Sequence, residues 1–335
     1  MTGIPMEKPL ISVLVTAYDL EKYIEECIES VLSQECPYPF EILAGDDGSD
    51  DRTYEILKSL EERGEGRLKV FRMDREQGVK YNRVERSSAN RLFLLSKAEG
   101  RFVSFLDGDD IYTDKGRLRK MADILMDAEN KDCILAAHNL DLLYDDGRRV
   151  PLSRAVKERK ISLEEYWTSM FLQSDAVMFR NIYNEHRPEG RLIYSFDDNN
   201  IMFWLLLHGK MYYIPERMAA YRQVGGSSWS AIDELKKNAS NMIGYSVERE
   251  LAPDKRKISD IRHYKNLSFL CAAKGSFVPK DLDPFYTTAS DHGMKEALEA
   301  YSLDGEWIKE SLRTGRIGNI SVRIRRSIKK MLGLF

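Results

Sequence analysis

Histidine and cysteine are scarce in this chain, with 5 and 4 among 335 residues. Cys27, Cys36, Cys133 and Cys271 lie far apart and form no C-x-x-C pair, so neither a zinc site nor a disulfide framework is indicated, and a reducing cytoplasm is the compartment expected. His138 has no second histidine close in sequence, which makes it a core or strand-end residue rather than a metal ligand. No apolar run approaches the ~18 residues of a membrane-spanning helix, and residues 1–9 lack the apolar centre of a signal peptide. An excess of positive charge is also missing. The formal net charge of −3 argues against nucleic acid as a general partner. Two phosphate-binding fingerprints are absent: no G-x-G-x-x-G follows the first predicted strand, and no G-x-x-x-x-G-K-[ST] occurs anywhere. A dinucleotide fold of that type and a P-loop enzyme are thereby disfavoured.

What is present reads as a soluble globular protein, 43% hydrophobic and 31% charged, long enough for one large domain with an appendage or for two domains. Strands are predicted over 11–16, 40–44, 68–73 and 102–106, separated by helices over 21–34, 53–63 and 82–98. Ser49, Asp50 and Asp51 are each suited to cap the second helix. Strands alternating with helices in this way indicate an α/β fold with a mainly parallel sheet. Further strands are expected over 133–144 and 212–215, with an apolar helix over 201–207. Strand signals fade after residue 230, and helices are expected over 234–251, 259–274 and 293–300.

The chemistry-bearing residues follow strand ends. Val103, Ser104, Phe105 and Leu106 run straight into Asp107-Gly108-Asp109-Asp110. Carboxylates spaced like this make a hard oxygen site suited to Mg²⁺ or Mn²⁺, although an acid-capped turn accounts for the same residues. Thr16, Tyr18, Asp46 and Asp47 also follow strand ends, at the edge where open α/β sheets bind ligands. Tyr18 could stack on a nucleobase and Asp47 accept a base N–H; a half-buried loop aromatic and a β-turn are the plainer readings.

Taken together, Val13 to Asp19, Ile28 to Gln34, Asp46-Asp47-Gly48-Ser49 with Asp51-Arg52-Thr53, and Leu106 to Asp110 resemble family 2 glycosyltransferases in order and spacing over about the first 115 residues. The resemblance implies a GT-A fold, a nucleotide-sugar donor and a divalent cofactor, Mn²⁺ or Mg²⁺. It implies that Thr16, Tyr18, Asp19 and Asp47 contact the nucleotide, with Asn90, Asp107 and Gly108 completing the donor site and Asp109 holding the metal. Tyr194-Ser195-Phe196-Asp197-Asp198 ahead of an apolar helix matches the family's catalytic acids, so Asp198 is expected as general base, with Asp197 as its competitor. The segment Ala219 to Ser228 resembles the family's closing loop, in which Arg222, Ser227 or Trp229 would meet the diphosphate; Val224 stands where the family commonly has histidine.

The implied activity is inverting transfer of a sugar, from a UDP-sugar for preference, to a hydroxyl of a carbohydrate or lipid-linked saccharide in cell-surface polysaccharide or lipopolysaccharide synthesis. A nucleotidyltransferase and a non-catalytic nucleotide- or sugar-binding protein of the same fold are the alternatives. The expected organisation is a GT-A domain over 1–230, with its donor half over 1–115 and its acceptor half over 116–230, and a helical accessory region over 231–335. In the last stretch, Arg323, Arg325, Arg326, Lys329 and Lys330 flank an apolar helical stripe. Such a tail suits either an anionic membrane surface or docking on the domain with a solvated basic face, which would make the protein cytoplasmic with a peripheral membrane contact.

Overall fold

The structure is a computed structural model, and it describes residues 8–76, 83–153, 157–223, 247–248 and 250–255. The chain divides into two compact units, Met1–Ser230 and Ala231–Phe335. Of the second unit, the described residues end in a short 3-10 turn, Pro253–Lys255. The helices expected over 259–274 and 293–300, the basic tail, Val224, Ser227 and Trp229 lie outside the described residues. Among the described residues no helix is long and apolar enough to cross a membrane.

The first unit opens with β1 (Ile11–Ala17), whose β-branched and apolar residues are almost wholly buried. It is followed by α1 (Ile24–Leu32), which buries Ile24, Cys27, Ile28 and Val31 along one stripe. Then come β2 (Phe40–Asp46), α2 (Thr53–Arg63), β3 (Leu68–Arg72), α3 (Arg83–Lys97) and β4 (Phe102–Asp107). These strands are parallel in the order β3-β2-β1-β4, so β1 lies between β2 and β4. The chain winds to one side of β1 through β2 and β3, then returns through α3 to its other side. That reversal opens a crevice at the carboxyl ends of β1 and β4, the standard ligand position of an open α/β sheet. The register places Thr16 beside Asp107 there.

Beyond β4 the sheet becomes mixed. β5 (Ile111–Tyr112) and α4 (Arg117–Met126) lead to β6 (Cys133–Tyr144), followed by β7 (Arg149–Pro151), β8 (Arg159–Ile161) and α5 (Leu163–Ser169). β9 (Val177–Arg180) runs antiparallel to both β4 and β6, and joins the two halves. After α6 (Asp198–Leu206), β10 (Lys210–Gln223) pairs parallel with β6, with register shifts near Ile214 and Arg217. The strand expected to stop at 215 therefore continues to Gln223, and its far end reaches the acidic loop after β4.

The expected cap of α2 is corrected in detail. Its N-cap is Arg52, without a side-chain bond, while Asp51 Oδ1 accepts from the Thr53 backbone N–H at 2.9 Å. Ser49 turns instead toward Asp46, to which its hydroxyl donates.

His138 is wholly buried on β6, as expected of a core histidine. Its Nε2 accepts from Arg117 Nε at 2.8 Å, so the proton sits on Nδ1, 2.7 Å from the Asn139 carbonyl. Burial, and then the Arg117 charge, push its pKa well below the ordinary histidine value. The unfolded chain therefore binds a proton that the folded one refuses. Stability should fall as pH drops below about 6.5, by up to about 1.4 kcal/mol per pH unit from this group. His138→Gln keeps an acceptor for Arg117 and should flatten that slope in urea melts taken at about pH 5 and 7; an unchanged slope would refute the assignment.

Candidate active site

The crevice is built from the residues that end β1 and β4. Gly108 follows Asp107 and passes so close to β1 that a Cβ there would sit 2.9 Å from the Thr16 carbonyl, which requires glycine. The Thr16 hydroxyl donates to Asp107 Oδ1 at 2.8 Å. Arg91, from α3, donates to both Asp107 oxygens at 2.9 and 3.1 Å, and its guanidinium lies 3.9 Å from Asp198. Burial works against a charge on Arg91, but Asp107 and Asp198 outweigh it and raise its pKa. Arg91 thus touches an acid from each half of the domain.

Helix α3 also fixes the chain just before Asp198. Ser88 Oγ accepts from the Phe196 N–H at 2.8 Å, and Arg91 Nη1 donates to the Phe196 carbonyl at 3.4 Å. Asp197 is the N-cap of α6 and accepts from the Asn200 N–H at 3.0 Å. Asp198 points instead toward the crevice, where Ser174 donates to its Oδ1 from both backbone N–H and hydroxyl, at 3.2 and 2.6 Å. Burial raises its pKa, Arg91 opposes that, and the charge on Asp107 adds to it. The two neighbouring acids therefore separate: one caps the helix and the other faces the site.

Four acids gather after β4 and before β9. Oxygens of Asp107, Asp110 and Asp175 lie within 4.8 Å of one another. Asp110 is wholly buried, with Oδ1 accepting from the Arg222 N–H at 2.7 Å, and its carboxyl shares a hydrogen bond with that of Asp175. Asp175, in the 3-10 turn Ser174–Ala176, accepts from the Asp107 N–H at 3.0 Å. Burial and the Asp107 charge raise its pKa. Asp109 stands outside this trio and is only partly buried. Burial and then the Asp107 charge push its pKa up to about 6, against a hydrogen bond from its own backbone and the nearby Arg222 charge. The donor set is all oxygen and suits a hard divalent cation. Asp109 is the more accessible carboxylate, whereas Asp110 and Asp175 are buried.

At the end of β1, Tyr18 and Asp47 are bridged by Arg75, which pairs with Asp47 and lies over the Tyr18 ring. Asp47 is 5% exposed and pairs with Arg75 and Arg86. Burial raises its pKa against the pull of both arginines. Asp19 has a left-handed backbone (φ 54°), and its Oδ1 accepts from the Asp50 N–H, so it ties two loops together.

Asn90, expected in the donor site, packs against Gly45 at the end of β2. Asn90 is 1% exposed, and its amide donates to the Gly45 carbonyl at 2.8 Å, filling the space a side chain at Gly45 would need. It props the end of β2, and its Oδ1 is buried without a hydrogen-bond partner among the described residues. Arg222 is also engaged already: its Nε donates to the Asp109 carbonyl at 2.8 Å, and its Nη2 pairs with Glu26.

Among the expected site residues Arg91 is missing, while Asp110 stands among the carboxylates expected after β4 and Ser174-Asp175 in the strand that resembles the family's acceptor-side strand. Asp175 did leave a signal, an acid directly before the apolar run Ala176 to Phe179. Behind it, the wholly buried Arg117 donates to the Asp175 carbonyl at 2.8 Å and to Ser104 Oγ at 3.0 Å, which fixes the turn that carries both Ser174 and Asp175.

The family model described as "Glycosyl transferase family 2" matches residues 12–187, just over half of the chain. The chain belongs to that family. The putative teichuronic acid biosynthesis glycosyltransferase TuaG of Bacillus subtilis is 34% identical over 149 residues, covering 44% of this chain and 53% of that one. Among solved structures, residues 1–349 of Staphylococcus aureus TarS in complex with UDP-GlcNAc match with a TM-score of 0.58 at 19% identity, covering 92% of each chain. The mannosyltransferase PcManGT of Pyrobaculum calidifontis, in complex with GDP-Man and Mn²⁺, matches with a TM-score of 0.52 at 15% identity, covering 94% of this chain and 88% of that one. These likenesses show the fold, the GT-A arrangement expected from the motifs. The chain spans 62% of the length of the first curated relatives it matches.

Proposed function

We propose that this family 2 member transfers a sugar, with inversion, from a nucleotide-sugar to an acceptor hydroxyl in the synthesis of a cell-surface polysaccharide. The observation that carries the reading is the arrangement around Arg91, which holds Asp107 of the Asp-x-Asp motif and stands 3.9 Å from Asp198. Donor-side and acceptor-side acids thereby share one crevice at the carboxyl edge of the sheet. TuaG and TarS, by their names and the bound UDP-GlcNAc, support the donor class.

In this reading Tyr18 and Asp47 receive the base, and Asp107, oriented by Thr16 and Arg91, faces the sugar or ribose. Asp109 would hold the divalent cation, which when bound neutralises charge on the leaving diphosphate. Asp198 accepts the proton of the acceptor hydroxyl while that oxygen bonds to the anomeric carbon and the bond to the diphosphate breaks on the opposite face. Ser174 leaves the second oxygen of Asp198 for this purpose, since both of its bonds go to Oδ1.

A thermal-shift screen tests the donor class. UDP-GlcNAc, GDP-mannose and other nucleotide-sugars are compared with and without Mn²⁺. A donor present at about 100 times its Kd stabilises the protein by about 2.7 kcal/mol, a shift readily measured. Failure of every nucleotide-sugar to raise the melting temperature in Mn²⁺ would remove the reading.

A further inference from the structure

The Tyr18–Asp47 pair is not open in this structure. The Arg75 guanidinium carbon lies over the Tyr18 ring, 3.9 Å from its centre. Its Nη2 donates to Asp47 Oδ2 at 2.5 Å, and its Nε donates to the Asp47 carbonyl at 2.6 Å. A planar group over Tyr18 with N–H donors turned to Asp47 occupies the place a nucleobase would take there in the reading above.

We propose that Arg75 is a stand-in for the nucleobase, and that it sets nucleotide affinity because the donor must displace it from Tyr18. The inference rests on the base-site reading above. Two groups cannot occupy the same face of one ring, so the arginine and a stacked base on that face exclude each other. Asp47 is not stranded by the exchange. Arg86 pairs with its other oxygen and is itself tied to the Met73 carbonyl at 3.2 Å. The base N–H then replaces the Arg75 donor at Oδ2. Apparent affinity is reduced by the fraction of molecules in which the slot is open, so removing the occupant tightens binding without adding a contact.

The test is calorimetric titration of UDP and of GDP, in Mn²⁺, into the wild-type chain, Arg75→Ala, Arg75→Lys and Tyr18→Ala. For whichever nucleotide binds the wild type more tightly, Arg75→Ala should bind about 5-fold more tightly, the size expected from releasing a cation–π contact of roughly 1 kcal/mol. Lysine lacks the flat fork, so Arg75→Lys should shift the same way and keeps the test usable if the alanine variant folds poorly. Tyr18→Ala should weaken binding. Unchanged or weaker binding in the arginine variants, with Tyr18→Ala still weakened, would overturn the stand-in and leave the base site intact. Unaltered affinity in Tyr18→Ala, or no binding of either nucleotide to the wild type, would overturn the base site itself and the stand-in with it.

Discussion

Asp198→Asn should lower turnover by about 10²–10⁴-fold, the usual contribution of a positioned carboxylate base. The amide keeps the size of the side chain and can still accept from Ser174, but it cannot take a proton. Turnover is read as release of the nucleoside diphosphate from the best donor, and nucleotide affinity should stay nearly constant because Asp198 lies on the acceptor side. The neighbouring Asp197→Asn provides the contrast. Asp197 caps α6 through the Asn200 N–H, and asparagine caps a helix about as well as aspartate. Its variant should therefore keep most of its turnover. Collapse in Asp197→Asn with near-normal Asp198→Asn would exchange the two roles, and normal turnover in both would place the base elsewhere.

The second large effect concerns the cation. Asp109→Ala should abolish the Mn²⁺-dependent part of UDP binding while leaving the fold intact, because the Asp109 carboxylate is only partly buried and no other side chain donates a hydrogen bond to it among the described residues. Asp175→Asn should leave that component largely in place. Asp175 is 2% exposed and serves the Asp107 backbone N–H, so its loss should appear mainly in the melting temperature. The convergence of oxygens picks out Asp107, Asp110 and Asp175 instead, and the same pair of variants decides between the two sites. Loss of Mn²⁺ dependence in Asp175→Asn, with retention in Asp109→Ala, would move the ion into the buried trio. Electron paramagnetic resonance of bound Mn²⁺ with UDP present gives a readout independent of catalysis.

Much of this protein was legible without coordinates. The alternation of β-branched runs with 3.6-period apolar stripes specified the α/β class, because both periodicities are local properties of the chain. The acids after the strands were legible for a related reason: a strand that ends in polar residues exposes them at the sheet edge. Helix capping and the core role of His138 were also within reach, though α2 shows how easily a cap shifts by one or two residues.

The tertiary structure decided which of those residues meet. β1 lies between β2 and β4, so Thr16 and Asp107 are neighbours although 91 positions separate them. Helix α3 returns across the sheet on the side that buries Asn90 under Gly45 and turns Arg91 toward Asp107 and Asp198. Adjacent residues on a helix point about 100° apart, so the packing of one face determined that Arg91 meets Asp107 and Asp198 while Asn90 meets Gly45. The same applies to Asp197 and Asp198 at the start of α6, and to Asp175, which joins the cluster only because β9 pairs antiparallel with β4. A sequence specifies residue types and local periods; the distance between side chains from separate elements exists only once the sheet order and the helix faces are in place.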